Sequence, residues 1–407
     1  MTQVGTSQET AGRRHGAALR SGRAGAGAWW NDSKVRAILY QILVLVALVA
    51  LVWWFASNAI DNMRRANIAS GFGFLDHEAG FGIGESVIPY SPADTYGRAL
   101  VVGFFNTLKV AFIGCVLTTF LGIFLGVLRL TKNPLLSRLV AGYIEIVRNI
   151  PLLLQLFFWY VIITQLPGPR QAINPIPGFF LSNRGIQVPG LQWDPMHTLV
   201  WATVLIGIAA TVWLSRRNAR VQEATGQHGS LLLPAIGLIV VLPLAVGVVL
   251  GHPIAFDVPE LQGFNFSGGW TLSPEFSALL IGITLYTSSF VAEIVRAGIQ
   301  AVRQGQWEAA SALGLNRRRT LTLVVLPQSL RTIIPPVTSQ YLNLTKNSSL
   351  AVAIGYPDLV SVAGTTMNQT GQAVECIAIF MAVYLSLSLA ISTFMNWYNT
   401  RVALRER

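Results

Sequence analysis

Eight long apolar runs divide this chain, at about 37–56, 100–128, 139–166, 198–214, 230–251, 274–297, 333–365 and 374–397. A helix crosses a ~30 Å hydrocarbon core with ~20 predominantly apolar residues, and 17 is the low end of the usual range. The shortest run, 198–214, meets that lower bound. Inside lipid every backbone N–H and C=O must be satisfied by the chain itself, so only helices and closed barrels cross. No run shows the alternating pattern of about ten residues that a barrel strand needs. The expected fold is therefore an all-α integral membrane protein with about eight transmembrane helices in a lipid bilayer. Composition agrees: 52% of residues are apolar and only 12% charged, where soluble domains run at about a quarter charged.

The same composition excludes several classes of function. A net charge of +11 raises the question of nucleic acid, but the basic residues lie between apolar runs, where topology uses them, so no nucleic-acid partner is expected. Both cysteines, Cys115 and Cys376, sit inside apolar runs, which implies neither a disulfide framework nor a metal site. His77 stands between Asp76 and Glu78, a triplet better explained as a solvated loop. The chain contains no GxxxxGK[ST] phosphate loop, no GxSxG and no HExxH, so it cannot hydrolyse ATP by the phosphate-loop route. It is not expected to be an enzyme or to hold a cofactor. Residues 1–35 are polar and rich in Gly, Ala and Arg. They are too long and too charged for a signal-peptide n-region, and they read as a disordered basic tail.

Lys and Arg set the orientation, because they concentrate on the cytoplasmic side. With the N-terminus inside, the inner segments hold Arg13, Arg14, Arg20, Arg23, Lys34 and Arg36, then Arg129, Lys132, Arg138 and Arg148, then Arg216, Arg217 and Arg220. The outer segment 252–273 has no Lys or Arg. The outer segment 57–99 fits less well, since it carries Arg64, Arg65 and Arg98, although Asp61, Asp76, Glu78, Glu85 and Asp94 are there too. An even number of spans places both termini in the cytoplasm.

On this topology the segment from Arg296 to Thr332 lies in the cytoplasm between the sixth and seventh runs. It is long for a connection without structure of its own. Residues 307–313, WEAASAL, are good helix formers apart from Ser311. Gly314 follows where a helix C-terminus needs a positive φ. Asn316 is an able N-cap for a second helix running to Leu326, where Pro327 is expected to interrupt it. Two short helices joined by a sharp turn are expected at 303–332, with Ala309 and Ala310 as a flat face and Arg317, Arg318 and Arg319 as a basic collar. The plain alternative is a positive-inside loop that happens to be helical.

Glu308-Ala309-Ala310, then Gly314, then Val324-Val325-Leu326-Pro327 resembles the EAA loop of ABC-importer permeases; Val324 stands where the usual pattern has Ile. In that family the loop is the coupling helix that docks on a separate ATPase subunit. The resemblance therefore assigns Glu308, Ala309, Ala310, Gly314, Arg317, Leu326 and Pro327 to coupling. Further segments resemble the polar amino-acid branch: YIEIVRNIPLLLQLFFWY from Tyr143, SSFVAEIVRAGIQAV from Ser288, and YLNLTKNSSLAVAIGYPDL from Tyr341. Here Asn149-Ile150 replaces a usual Gly-Thr, and Ala297 a usual Gly. Together these segments cover roughly 96–166 and 274–400. The extra first span with its outer loop (36–95), and an inserted pair (about 198–251) within a transport domain at 96–400, are similar to the long permeases of general L-amino-acid transporters. So are ASGFGFL and FGIGESVIPYSP before the second run.

The resemblance implies a type I ABC importer transmembrane domain in a bacterial inner membrane. It implies an ATPase dimer, a homologous second permease in a heterodimer and a periplasmic amino-acid-binding protein as partners. L-amino acids from the periplasm are the implied substrate, and another small solute such as an opine or peptide the alternative. A secondary transporter is the more distant rival; it would usually show an internal repeat, and none is clear. A non-transporting membrane scaffold is another, and it leaves the polar break in the seventh run unexplained.

Charge inside a membrane costs ~2.5–3.5 kcal/mol per residue on insertion scales, so the charged and polar residues of the runs need reasons. Glu145 and Arg148 are spaced to pair on one helix face and are either an interfacial ion pair or a gate. Glu293, late in the sixth run, either pairs with Arg296 or gates the inner mouth. Gln155 lies deeper, ~10 Å beyond Arg148 at helical rise. Tyr286, Thr287, Ser288 and Ser289 make the sixth run polar near its middle, as a substrate path or as packing contacts. In the seventh run, Asn343, Thr345, Lys346, Asn347, Ser348 and Ser349 fall ~18 Å from Pro335 at helical rise, near the midplane. Apolar character then resumes until Gly355-Tyr356-Pro357. This reads as a broken span whose half-helix end offers N–H groups to a substrate carboxylate, with Lys346 adding a positive charge. The alternative pairs Lys346 with Glu293 or turns it to the inner surface.

Overall fold

The computed structural model describes residues 33–65, 70–192, 197–225, 230–251 and 256–402. All but the last residues of the expected tail at 1–35 therefore lie outside the described residues. Two compact units result, residues 1–70 and 71–407. In the first, α1 (Ser33–Arg65) is a single helix. Its large apolar side chains from Ile38 to Ile60 are exposed, as a lone lipid-facing span requires.

The second unit is built around α2 (Tyr96–Arg129) and α8 (Pro274–Gln300). Small residues on α2 let the two come close. A Cβ on Gly122 would stand 2.5 Å from Val291 Cγ1 and 3.2 Å from the Ser288 carbonyl, so any side chain there would force the pair apart. Caps fix where both helices begin. Thr95 Oγ1 accepts the Arg98 N–H at 3.2 Å, and Ser273 Oγ accepts the Phe276 N–H at 3.1 Å.

The third apolar run is not one straight helix. It forms α3 (Pro134–Asn149) and α4 (Leu152–Thr164), bent by 103° at the break. Pro151 has no N–H and forces the preceding residue out of the helical region; Ile150 is extended, with φ −91° and ψ 127°. The apolar runs at 198–214 and 230–251 form α5 (His197–Thr225) and a second helix. The latter starts as α6 (Leu232–Ile236), passes through a π turn at Gly237–Val241 and ends as α7 (Leu242–Val249).

The bundle is helical as expected, with an addition that the sequence did not signal. The segments flanking the inserted pair form β1 (Ile173–Ile176), β2 (Phe179–Ser182), β3 (Gly185–Val188), β4 (Gly190–Leu191), β5 (Phe256–Asp257), β6 (Glu260–Gln262), β7 (Asn265–Ser267) and β8 (Trp270–Leu272). They pair as an antiparallel sheet in the order β1-β2-β3-β8 and two smaller ladders, β4 with β5 and β6 with β7. Gln187 faces Thr271 across β3 and β8, and the Thr271 hydroxyl donates to its Oε1 at 2.6 Å.

After α8 come α9 (Gln304–Ala312), α10 (Arg317–Arg319), a π turn at Thr320–Val325, α11 (Leu326–Asn347), a 3-10 turn at Ser348–Ile354, α12 (Leu359–Thr370) and α13 (Ala373–Val402). The stretch Arg317–Ile354 and α12 meet at a bend of 51°, the geometry of a broken span or a re-entrant loop. Among the described residues, six helices are long and apolar enough to cross a membrane, or up to eight if each bent pair is one span.

The main core joins α2, α4, α8 and α11 through Val110, Leu156, Leu279, Ile283 and Leu344. A second core ties Phe74 and Ala79 to Tyr96, Leu100, Leu359 and Val362. Residues 71–95 therefore pack with the bundle, and the division between compact units falls after Ser70.

Candidate functional site

The segment 303–332 folds as a helix, a sharp turn and a second helix. At the turn the Leu315 N–H donates to the Ala310 carbonyl at 3.1 Å and the Gly314 N–H to the Ser311 carbonyl at 2.9 Å. These are the two bonds that close a helix through a left-handed residue. Gly314 takes that position at φ 70°, with nothing within 4 Å of where a Cβ would sit. Glycine is needed here for its backbone and not for space. Asn316 Oδ1 then accepts the Arg319 N–H at 2.9 Å and starts the second helix.

Pro327 does not end that helix, contrary to expectation. The π turn before it bonds the Leu326 N–H back to Leu321, shifting the ladder by one residue. Pro327 then enters in the first turn of α11, where its missing N–H costs little. The second helix therefore runs on through α11. Of the coupling residues, Glu308, Ala309, Gly314, Arg317 and Leu326 are exposed, Pro327 is half-buried and Ala310 is buried. The flat face expected of Ala309 and Ala310 is thus split, with Ala310 holding the helix down. Leu313, which the residue pattern did not single out, is 80% exposed at the end of α9. A large apolar side chain standing that far out of a polar loop was visible in the sequence only as part of WEAASAL.

Of the three candidate gate residues, Arg148 adds to the positive charge around Glu293, while Glu145 is exposed on α3. Glu293 carries the ion pairs: Arg129 from α2 and Arg296 from its own helix both reach it, Arg296 Nε at 3.0 Å. This ties the end of α2 to α8. Arg148 lies over the Phe290 ring, 4.8 Å from its centre, instead of pairing with Glu145.

The expected path residues separate as well. Gln155 is buried, and its amide donates to the carbonyls of Val147 at 2.8 Å and Ile150 at 3.0 Å. It closes the bend between α3 and α4. Ser289 is fully buried, with its hydroxyl on the Tyr286 carbonyl at 2.6 Å, and Tyr286 packs edge-on to Phe290. Ser348 and Ser349 also bond back within their own helix, at 2.8 and 2.7 Å. A hydroxyl in a helix always has such a carbonyl within reach, and sequence does not show which will take it. Asn343 and Lys346 differ. They are exposed on α11 in line with Thr332, Pro335, Pro336 and Ser339, at the three- and four-residue spacing of one helix face. A polar, charged stripe of this kind is costly against lipid.

The break in the span lies at Gly355–Asp358, beyond the polar stretch, and its N–H groups are occupied. Asp358 Oδ1 accepts the Ser361 N–H at 2.8 Å, Thr107 Oγ1 accepts the Leu359 N–H at 3.1 Å, and the Asp358 carbonyl accepts the Val362 N–H at 3.0 Å. A fully buried carboxylate already caps α12, so this end is closed to a substrate carboxylate. Asn106 braces the break by donating to the Glu85 and Pro357 carbonyls, each at 2.8 Å. The Glu85 side chain pairs with Lys109 and accepts the Ser273 hydroxyl at 2.5 Å. These contacts tie the segment before α2 to α2, α8 and the break.

Residues 229–406 match the family of binding-protein-dependent transport system inner membrane components. Over 377 residues the chain is 50% identical to the general L-amino acid transport system permease protein AapQ of Rhizobium johnstonii, covering 92% of this chain and 94% of that protein. It is 52% identical over 375 residues to the putative amino-acid ABC transporter permease protein YhdX of Escherichia coli, covering 92% and 95%. It is 42% identical over 409 residues to the glutamate/glutamine/aspartate/asparagine transport system permease protein BztB of Rhodobacter capsulatus, covering 92% and 96%. With such identity along nearly the whole length, the chain belongs to the permeases of amino-acid ABC transporters, multi-pass proteins of the inner membrane with the type I importer fold and no enzymatic role of their own.

Proposed function

We propose that this chain is one half of an importer that moves L-amino acids from periplasm to cytoplasm, with both termini and the segment 303–332 in the cytoplasm. The observation that carries the reading is the rigid, exposed helix–turn–helix at Gln304–Arg319, held by its own turn bonds and presenting Glu308, Ala309 and Leu313 outward. Such a piece is a handle for a separate ATPase dimer. A periplasmic binding protein delivers substrate on the other side, in keeping with the binding-protein-dependent family. The polar face of α11 cannot rest against lipid, so it faces a homologous second permease and the path between them. On that face Lys346 supplies the positive charge for the carboxylate that all amino acids share, with Asn343 beside it. The named relatives carry general L-amino acids, or glutamate, glutamine, aspartate and asparagine, which supports a broad or polar range.

Two measurements test this. The tagged native chain, purified in mild detergent, should bring down an ATPase subunit with a phosphate loop and a second permease; recovery alone or only with itself refutes the handle. Lys346→Met should abolish uptake while the complex still assembles; retained uptake, or lost assembly, refutes the carboxylate role.

A further inference from the structure

The handle does not lie flat on the bundle. A cavity of about 620 Å³ remains between it and the adjoining ends of α2 and α8, within the range of small-molecule sites. Its walls are mainly apolar: Val127 from α2 and Leu130 just after it, Ile299 at the end of α8, Trp307 from α9 and Val325 from the π turn. Among the described residues Arg317 is the one charged residue lining it, with no Asp or Glu. Lys132, Arg303 and Arg318 are each exposed, and each is next in sequence to a lining residue.

The lining faces two kinds of environment. Part of the apolar wall comes from the ends of two spans, where acyl chains begin, and the rest from Trp307 and Val325. The cations belong to the level of the head groups. A free amino acid or inorganic phosphate would use Arg317 and leave the apolar walls unpaired. A neutral lipid would use the walls and leave the charge unanswered. Basic pockets at helix ends on the cytoplasmic side suit anionic head groups.

We propose that this cavity seats one acyl chain of an anionic phospholipid of the cytoplasmic leaflet, with its phosphate on Arg317. The bound chain fills the space under the handle and fixes its angle to α2 and α8. Anionic lipid is then a requirement for coupling. This last step rests on reading 303–332 as the handle for the ATPase; lipid binding itself does not.

The test is native mass spectrometry of the full complex, titrated with phosphatidylglycerol and separately with phosphatidylcholine. Preferential retention of one phosphatidylglycerol per copy of this chain is expected. Leu130→Trp, which fills the cavity, should remove that retention. Arg317→Gln, an exposed substitution, should lower the preference for phosphatidylglycerol over phosphatidylcholine roughly fivefold. Equal retention of the two lipids, retention unchanged in both variants, or displacement of the lipid by inorganic phosphate overturns the proposal. Reconstituted with phosphatidylcholine alone, the complex should hydrolyse ATP with little response to loaded binding protein, and added phosphatidylglycerol should restore the response. If no ATPase co-purifies, the handle reading fails, while lipid retention by the chain still decides the cavity.

Discussion

Leu313 offers a direct test of the handle because the fold does not use it. It is 80% exposed at the last turn of α9, and the turn bonds run through Ala310, Ser311, Gly314 and Leu315. Replacing it with Ala should leave the chain's own stability within ~0.5 kcal/mol, as for other exposed positions. If the side chain enters a groove on the ATPase, the change removes three carbons from a buried contact. At ~0.8 kcal/mol per buried carbon the ceiling is ~2.4 kcal/mol. Incomplete burial lowers this to about 2 kcal/mol, which is roughly thirtyfold in affinity. The assay is titration of the purified ATPase onto permease reconstituted in nanodiscs, beside a thermal melt of the permease alone. Weaker docking with an unchanged melt is expected. Affinity within twofold of the parent would refute the reasoning, since the most protruding apolar side chain of the handle would then touch nothing.

Two further substitutions separate backbone from side-chain roles. Gly314→Ala places an L residue at φ 70° with no clash at its Cβ, so the penalty is the left-handed backbone alone, ~1–2 kcal/mol. Amino acid taken up per ATP should fall, and Gly314→Asn should fall less because Asn tolerates that region; equal values for the parent and both variants would count against a rigid turn. Gln155→Leu leaves the Val147 and Ile150 carbonyls at the bend without their donors, and since both bonds are only part-buried the cost is about 1 kcal/mol. A lower melting temperature with unchanged KM is expected, and a raised KM at unchanged melting temperature would place Gln155 on the substrate path.

What was legible in the sequence follows the range of the interactions. The spans were legible because lipid imposes a length. The turn at Gly314 and the start at Asn316 were legible because both are settled by neighbours within five residues. Pro151 was in plain view, but the apolar run around it concealed a bend of 103°. The strands were not legible, since pieces of two to four residues are too short to show alternation, and β3 pairs with β8 across the whole inserted pair. The hydroxyls of Ser289, Ser348 and Ser349 looked available because composition does not reveal that each bonds a carbonyl of its own helix. The stripe from Thr332 to Lys346 could have been found by applying helical spacing to all of α11, including Pro335 and Pro336, instead of to the polar stretch alone.

The placement of irregular turns gives the broken span a mechanical sense. From Arg317 to Ile354 the backbone is helical without interruption, so one element carries the rim of the cavity at one end and Lys346 toward the other. It is not uniform. A π turn lies next to the handle, and a 3-10 turn leads into the break. Both have weaker hydrogen-bond geometry than the α-helix between them, and they are where a displaced helix would bend. At the far end Asn106, Thr107 and Glu85 hold the break against α2 and the segment before it. Near the handle, Glu293 and Arg129 hold α8 to α2. A force applied at 303–332 would therefore meet α2 and α8 joined near that end by Glu293 and Arg129, and a helix, α11, tied to α2 by the Thr119 and Tyr341 hydroxyls at 2.6 Å and flanked by irregular turns on both sides. Two arrangements of α11 against that pair provide the kind of two-state element that an ATPase and a loaded binding protein could bias from opposite sides.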